Sequence, residues 1–307
     1  MPYLKLDLES SQLSVSISLT AHLFHIVDQL SEWSVYCHKQ YLDYFNATSE
    51  FTLIDRELLT KHKELRMRHN WGEGLEQTFY TDIDLDSALE EGVRIGYIFA
   101  EEARIEKEVF ENFKSRITTI MNDNLAILHS FAERLQSEKD QLLEMVNTLS
   151  RFCMNYPVLV PVFLIASPHD RNGGGGYNGG VLTLEIPRAH DAYPMFLHEL
   201  FHVFLNSQRE LLEKIIKTEK ITYQQLNEGI AYALSPGIFH SGEPDSDPLF
   251  EIVRRDEENQ LSKNPLVVFR RYGLELRSTL REALRDDSQN LETFLPNAIE
   301  ILRDKVQ

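Results

Sequence analysis

Cysteine is nearly absent from this chain. Cys37 and Cys153 are the only two among 307 residues, and neither belongs to a C-x-x-C. Two isolated thiols exclude a disulfide-stapled scaffold and a cysteine metal site, and they fit a reducing compartment. Positive charge is scarce as well: 31 Lys and Arg stand against 48 Asp and Glu, a net charge of −17. No basic patch of the density a phosphate backbone needs is present, so nucleic acid and anionic membrane are excluded as expected partners, while neutral or basic peptides are tolerated. Long apolar runs are missing too. The longest, Tyr156 to Ala166, is interrupted by prolines and too short to span a bilayer. The opening residues have neither a charged n-region nor an apolar h-region, which sets the expectation of a cytoplasmic protein without a secretory signal.

What is present is a 42% hydrophobic chain, enough for one large or two medium domains. Tyr3 to Leu8 and Leu13 to Leu19 alternate apolar and polar residues and read as a β-hairpin. Helical periodicity follows over Ala21 to Phe45 and about Asp55 to His69, then Trp71-Gly72-Glu73-Gly74 breaks it. His22, His25, His38, His62 and His69 share no carboxylate pattern and read as core or surface residues. Asp84 opens a helical region running to about Phe152, whose acidic run Glu101 to Glu111 reads as a solvated face. No seven-residue seam is sustained, so packed helical hairpins are preferred to a coiled coil.

Near Cys153 the texture changes. Val158 to Ala166 and Val181 to Ile186 are the strongest strand signals, separated by a glycine-rich stretch from Asn172 to Gly180. That stretch lacks the Gly-Lys-Ser/Thr ending of a phosphate loop. It reads as a mobile hairpin connection, the functional alternative being a lid or a close backbone approach to ligand. Helices at about Leu249 to Leu261, Pro265 to Arg285 and Leu291 to Lys305 complete the chain. Arg254, Arg255, Arg270, Arg271, Arg277, Arg281 and Arg285 are expected to pair with acidic residues, with a substrate-carboxylate clamp as the alternative. The expected fold class is α+β, mainly helical, with a helical region over 1–152 and a second domain over 153–307.

The densest chemistry lies in His198-Glu199-Leu200-Phe201-His202. On a helix, residues four apart share a face, so both imidazoles can reach one Zn²⁺ at about 2.0 to 2.1 Å. Glu199 lies about 100° around from His198, where it can touch a water without ligating the metal. Helix formation is supported by Asp191 as N-cap, Pro194 in the first turn, and apolar Leu197, Leu200, Phe201, Phe204 and Leu205 at core-facing spacing. A catalytic zinc needs a third protein ligand, and Glu228 offers one 26 positions after His202. Its segment reads as a helix opened by a Thr222/Gln225 capping box and stopped at Ser235-Pro236-Gly237. Gly229 inside it, with Ala231 and Ala233, points to close packing on a neighbour.

With those motifs the chain resembles the gluzincins, zinc metallopeptidases that pair H-E-x-x-H on one helix with a Glu on the next. The resemblance covers about a quarter of the chain, Val162 to Leu234. It implies His198, His202 and Glu228 as metal ligands, Glu199 as general base, a zincin-like domain with a small, mostly antiparallel sheet, and Val181 to Ile186 as an edge strand that pairs with extended peptide. Two features of the group are missing: there is no Gly-x-Met-x-Asn signature of the aminopeptidase branch, and Tyr232 stands four residues after Glu228 where an Asp is usual.

The implied activity is hydrolysis of a peptide or protein substrate, with Glu199 taking a proton from a metal-activated water and delivering it to the leaving nitrogen. Tyr193, Tyr223, Tyr232 and His240 are the candidates for the donor that steadies the oxyanion. The rival reading is a catalytically inactive zincin-like scaffold serving as a protein-interaction module, with residues 84–152 as its working surface. Retention of Glu199 argues against it, because a structural site needs the histidines and not the base.

Overall fold

Alternating Leu6, Leu8, Leu13 and Val15 are buried on one face, and the two strands they define open the chain as β1 (Leu4–Leu8) and β2 (Ser11–Ser16). The computed structural model describes residues 3–8, 11–157, 159–171, 173–240, 246–259, 261 and 264–303; expectations touching Val158, Asn172, 241–245, Gln260 and 304–305 lie outside them. Helices follow as α1 (Leu19–Leu30), α2 (Lys39–Thr48), α3 (Leu53–Arg66), α4 (Leu75–Phe79), α5 (Leu85–Ile95), α6 (Ala100–Asp123), α7 (Leu125–Ser137) and α8 (Lys139–Cys153). Ser18 caps α1, Thr52 and Asp55 form a capping box on α3, and Asp84 caps α5. The single helix expected over Ala21 to Phe45 is two, because the chain turns between them through Glu32 at φ 49°. The region after Asp84 is likewise divided, first by Gly96 at φ 81° and then at Asn124 and Glu138.

Strands β3 (Leu159–Ala166), β4 (Gly175–Asn178) and β5 (Val181–Ile186) complete a five-stranded sheet of order β1-β2-β3-β5-β4. It is mixed rather than mostly antiparallel: β2 pairs β3 in parallel (Val15 with Val162), β3 pairs β5 in parallel (Leu164 with Leu184), and β4 on β5 is antiparallel (Tyr177 with Leu182). The helices between β2 and β3 supply the long crossover that a parallel return requires. Val181 to Ile186 is therefore not an edge strand, since β3 and β4 flank it and Leu182 to Ile186 are buried. The glycines of the adjoining stretch are explained by backbone meeting backbone. A Cβ on Gly179 (φ +58°) would lie 2.2 Å from the carbonyl oxygen of Gly72, so the hairpin end rests on the 71–74 turn.

The chain divides into two compact units, one of Met1–Asp7, Gln12–Lys139 and Leu159–Ala192, the other of Leu8–Ser11, Asp140–Val158 and Tyr193–Gln307. The division departs from the expected break at 152–153, because sheet pairing carries residues 159–192 into the first unit. That unit holds the scattered histidines, and His25, His38, His62 and His69 meet carboxylates, whereas His22 contacts the Ser18 carbonyl and the Ala166 amide. His25 and His38 bind Glu185 at 2.8 Å each, and His62 lies between Glu106 (2.8 Å) and Asp28 (3.2 Å). Burial opposes the charge on Glu185, but the two imidazoles carry its carboxyl down to about 2.

The second unit is helical: α8, then α9 (Tyr193–Asn206), α10 (Arg209–Ile216), α11 (Tyr223–Tyr232), a wound turn over Ala233–Ile238, α12 (Pro248–Glu258), α13 (Pro265–Arg285) and α14 (Leu291–Arg303). The expected tight packing of Gly229 is found at the crossing of α11 and α13, where the two helices exchange glycines. A Cβ on Gly229 would lie 2.9 Å from Tyr272 Cβ, and one on Gly273 would lie 2.7 Å from Tyr232 Cβ. No helix among the described residues is long and apolar enough to cross a membrane.

Candidate metal centre

Helix α9 is buried nearly all round, with Leu197, Leu200, Phe201, Phe204 and Leu205 no more than 1% exposed. It begins at Tyr193, and Asp191, expected as its cap, accepts a hydrogen bond from Arg134 at 2.5 Å. His198, Glu199 and His202 are themselves buried. Helix α11, opened by the Thr222/Gln225 capping box as expected, brings Glu228 to the two histidines. The three form the one group of His, Cys, Asp or Glu able to hold a metal ion among the described residues.

The geometry of the group fits a metal. His198 Nε2 lies 3.3 Å from His202 Nε2 and 3.3 Å from Glu228 Oε2, and His202 Nε2 lies 3.6 Å from the same oxygen. Ligand atoms on the face of a tetrahedron around zinc, at about 2.0 to 2.2 Å from it, stand about 3.3 to 3.6 Å apart. The other ring nitrogens are tied back. His198 Nδ1 contacts the Ser235 carbonyl at 3.4 Å, and His202 Nδ1 contacts Asn227 Oδ1 at 3.3 Å. Asn227 presents that oxygen because its amide hydrogens go to Asn206 Oδ1 (2.8 Å) and the Tyr223 hydroxyl (3.0 Å), the latter itself donating to Asn206 at 2.8 Å. With each Nδ1 donating, the two Nε2 atoms and Glu228 converge on one point, where a metal ion could be held.

A proton can take that place as well. Burial would raise Glu228, but the hydrogen bonds of His198 and His202 hold its carboxyl below the usual range. Burial would lower His202, but Glu228 raises it to about 9. Glu199 has a different environment: burial raises its carboxyl, partly opposed by His202 and His198, and no hydrogen bond reaches it from the described residues. A buried carboxylate beside two imidazoles, with no hydrogen bond among the described residues, can take a proton.

Among the four candidate oxyanion donors, Tyr223 is occupied by Asn206 and orients Asn227. Tyr232 packs against His198, ring centroids 4.5 Å apart, and Arg270 lies over its ring at 5.6 Å. Tyr193 and His240 line a neighbouring cavity. Asn206, Asn227 and the Ser235 carbonyl were not among the supports expected from the sequence; only the Asn preceding Glu228, at position 227, carried a local signal. Comparison of the chain with protein-family models, with curated proteins and with solved structures gives no match.

Proposed function

We propose that this chain is a zinc-dependent metallopeptidase of gluzincin type, with His198, His202 and Glu228 as ligands and Glu199 as general base. The observation that carries the reading is the spacing of the three candidate ligand atoms, 3.3, 3.3 and 3.6 Å, beside a buried Glu199 with no hydrogen bond among the described residues. Zinc held there would supply a water of lowered pKa and a Lewis acid for a carbonyl. The protein's part is positional. Asn227 and Ser235 aim the imidazoles, Glu199 accepts the proton of the attacking water and returns it to the departing amine, and Tyr232, its ring packed on His198, is the candidate donor to the developing oxyanion. Burial of Glu199 favours its neutral form, so a carboxyl there holds a proton more readily than an exposed one, as a proton shuttle near neutral pH requires.

Main-chain pairing of substrate with β5 forms no part of this proposal, since both edges of that strand are occupied. Metal analysis tests the ligand set. Purified protein is expected to hold about one zinc per chain, and His198→Ala, His202→Ala and Glu228→Ala are each expected to lose it. Full zinc occupancy in Glu228→Ala would remove Glu228 from the site.

A further inference from the structure

Most of the arginines after residue 250 pair as expected. Arg254, Arg270, Arg271 and Arg277 meet Glu251, Asp256, Glu257 and Asp247. Three have no such ion pair among the described residues, and one of them, Arg255, donates to the Glu251 carbonyl. Arg281 donates one long bond of 3.5 Å to the Gly237 carbonyl, and Arg285 makes no hydrogen bond or ion pair among the described residues. Four positions apart on α13, they present both guanidinium groups to one cavity of about 790 Å³ in the second unit. Arg151 lines it too, paired with the highly exposed Asp287 at 3.2 Å. So does His240, whose Nδ1 is buried without a hydrogen-bond partner. In a chain of net charge −17 this is a local reversal of sign.

The cavity also adjoins the metal ligands along the chain. Its wall includes Tyr193 and Leu197, the residue before His198, and Ile238 to His240, which follow the Ser235 carbonyl bound by His198. The volume is that of a small-ligand site, and the lining combines apolar Met145, Leu197, Ile238, Phe239 and Leu284 with charged groups. Guanidinium forks match carboxylates and phosphates alike, but Glu144 and Asp287 at the same cavity oppose a doubly charged phosphate more than a single carboxylate. We infer that this cavity receives a carboxylate of the peptide ligand, either the C-terminal group or an acidic side chain, on Arg281 and Arg285. Its place beside the scissile bond rests on the peptidase reading; its ability to bind does not.

The test uses full-length Glu199→Gln, so that binding is read without turnover, and titration calorimetry with three N-acetylated alanine hexapeptides. One ends in a free carboxylate, one in an amide, and one in an amide with a central Glu. At least one carboxylate peptide is expected to bind about tenfold more tightly than the plain amide, and which one identifies the source of the carboxylate. Arg281→Met and Arg285→Met should each remove that preference, a loss on the order of tenfold, while Arg254→Met leaves it intact. Arg285 is exposed and unpartnered, so its variant keeps the test valid if Arg281→Met fails to fold. Equal binding of all three peptides, binding of none, or a preference indifferent to both arginines would overturn the inference. Wild-type turnover is scored separately. A carboxylate preference without turnover removes the peptidase and keeps the cavity; turnover blind to the carboxylate and to both arginines does the reverse.

Discussion

Replacing Asn227 with Leu tests whether the metal site is built from behind. The Asn227 oxygen receives His202 Nδ1 at 3.3 Å, and its amide nitrogen is held by Asn206 and Tyr223 at 2.8 and 3.0 Å. Leu keeps the volume but deletes the acceptor, leaving the imidazole free to rotate or change tautomer. Loss of such a supporting partner weakens metal binding by about 10- to 100-fold, or about 1.4 to 2.7 kcal/mol. Tyr223→Phe leaves Asn227 with Asn206 as one of its two anchors, so the expected loss is that of one neutral hydrogen bond, about 1 kcal/mol or roughly fivefold. The double variant should cost less than the sum, because both changes act on one chain of bonds. Zinc affinity is read by competition with a chromophoric chelator, with helical circular dichroism as the check on folding. An Asn227→Leu protein that folds and binds zinc within about twofold of wild type would refute the reasoning, as would a larger loss from Tyr223→Phe.

Other outcomes follow from the packing and the charges. Gly273→Ala forces a Cβ to within 2.7 Å of Tyr232 Cβ and 2.9 Å of Ala233 N, and should destabilise the protein by about 1 to 3 kcal/mol in denaturant titration while weakening zinc binding, because α11 carries Glu228. In the first unit, burial opposes the charge on His62 but Glu106 and Asp28 hold the ring protonated up to about 9. Its folded pKa exceeds the unfolded value of about 6.5, so this contribution is complete below that pH and is lost as pH rises toward 9; His62→Gln should flatten the fall in stability over that window. Arg66 is fully buried, its guanidinium 3.9 Å from the Trp33 ring and ion-paired with Asp28 and Glu76. Arg66→Met should cost about 3 to 5 kcal/mol by stranding those carboxylates, measured by thermal unfolding.

What was legible in the sequence was local. The spacing of Leu197, Leu200, Phe201, Phe204 and Leu205 names the buried face of α9, the Thr222/Gln225 box starts α11, and Gly229 marks its crossing with α13. Each is a pattern written within about a turn or two of helix. What was missed is set by partners distant in sequence. The parallel pairing of Val15 with Val162 depends on a crossover of many helices, and the pairing of β5 with both β3 and β4 makes an expected edge strand an interior one. Glu185 binds His25 and His38 across 160 and 147 positions, beyond any motif spacing. Gly179 looked like part of a mobile loop because its reason, the carbonyl of Gly72, lies in another turn. The candidate site was readable to the extent that its ligands sit at helical spacing; its supports at Asn206 and Ser235 became visible only once α9 and α11 were side by side.

The central claim is that Glu199 is a base and not a ligand, and the measurement that bears on it most directly is zinc content joined to cleavage of an unbiased peptide library by wild type and Glu199→Gln. Gln preserves the size of the side chain and can hydrogen-bond, but it cannot take the water's proton. Equal zinc in both proteins, chelator-sensitive cleavage by wild type and none by the variant are expected. Equal zinc in both with no cleavage of any library member by either would contradict the claim and leave the metal-binding scaffold in its place.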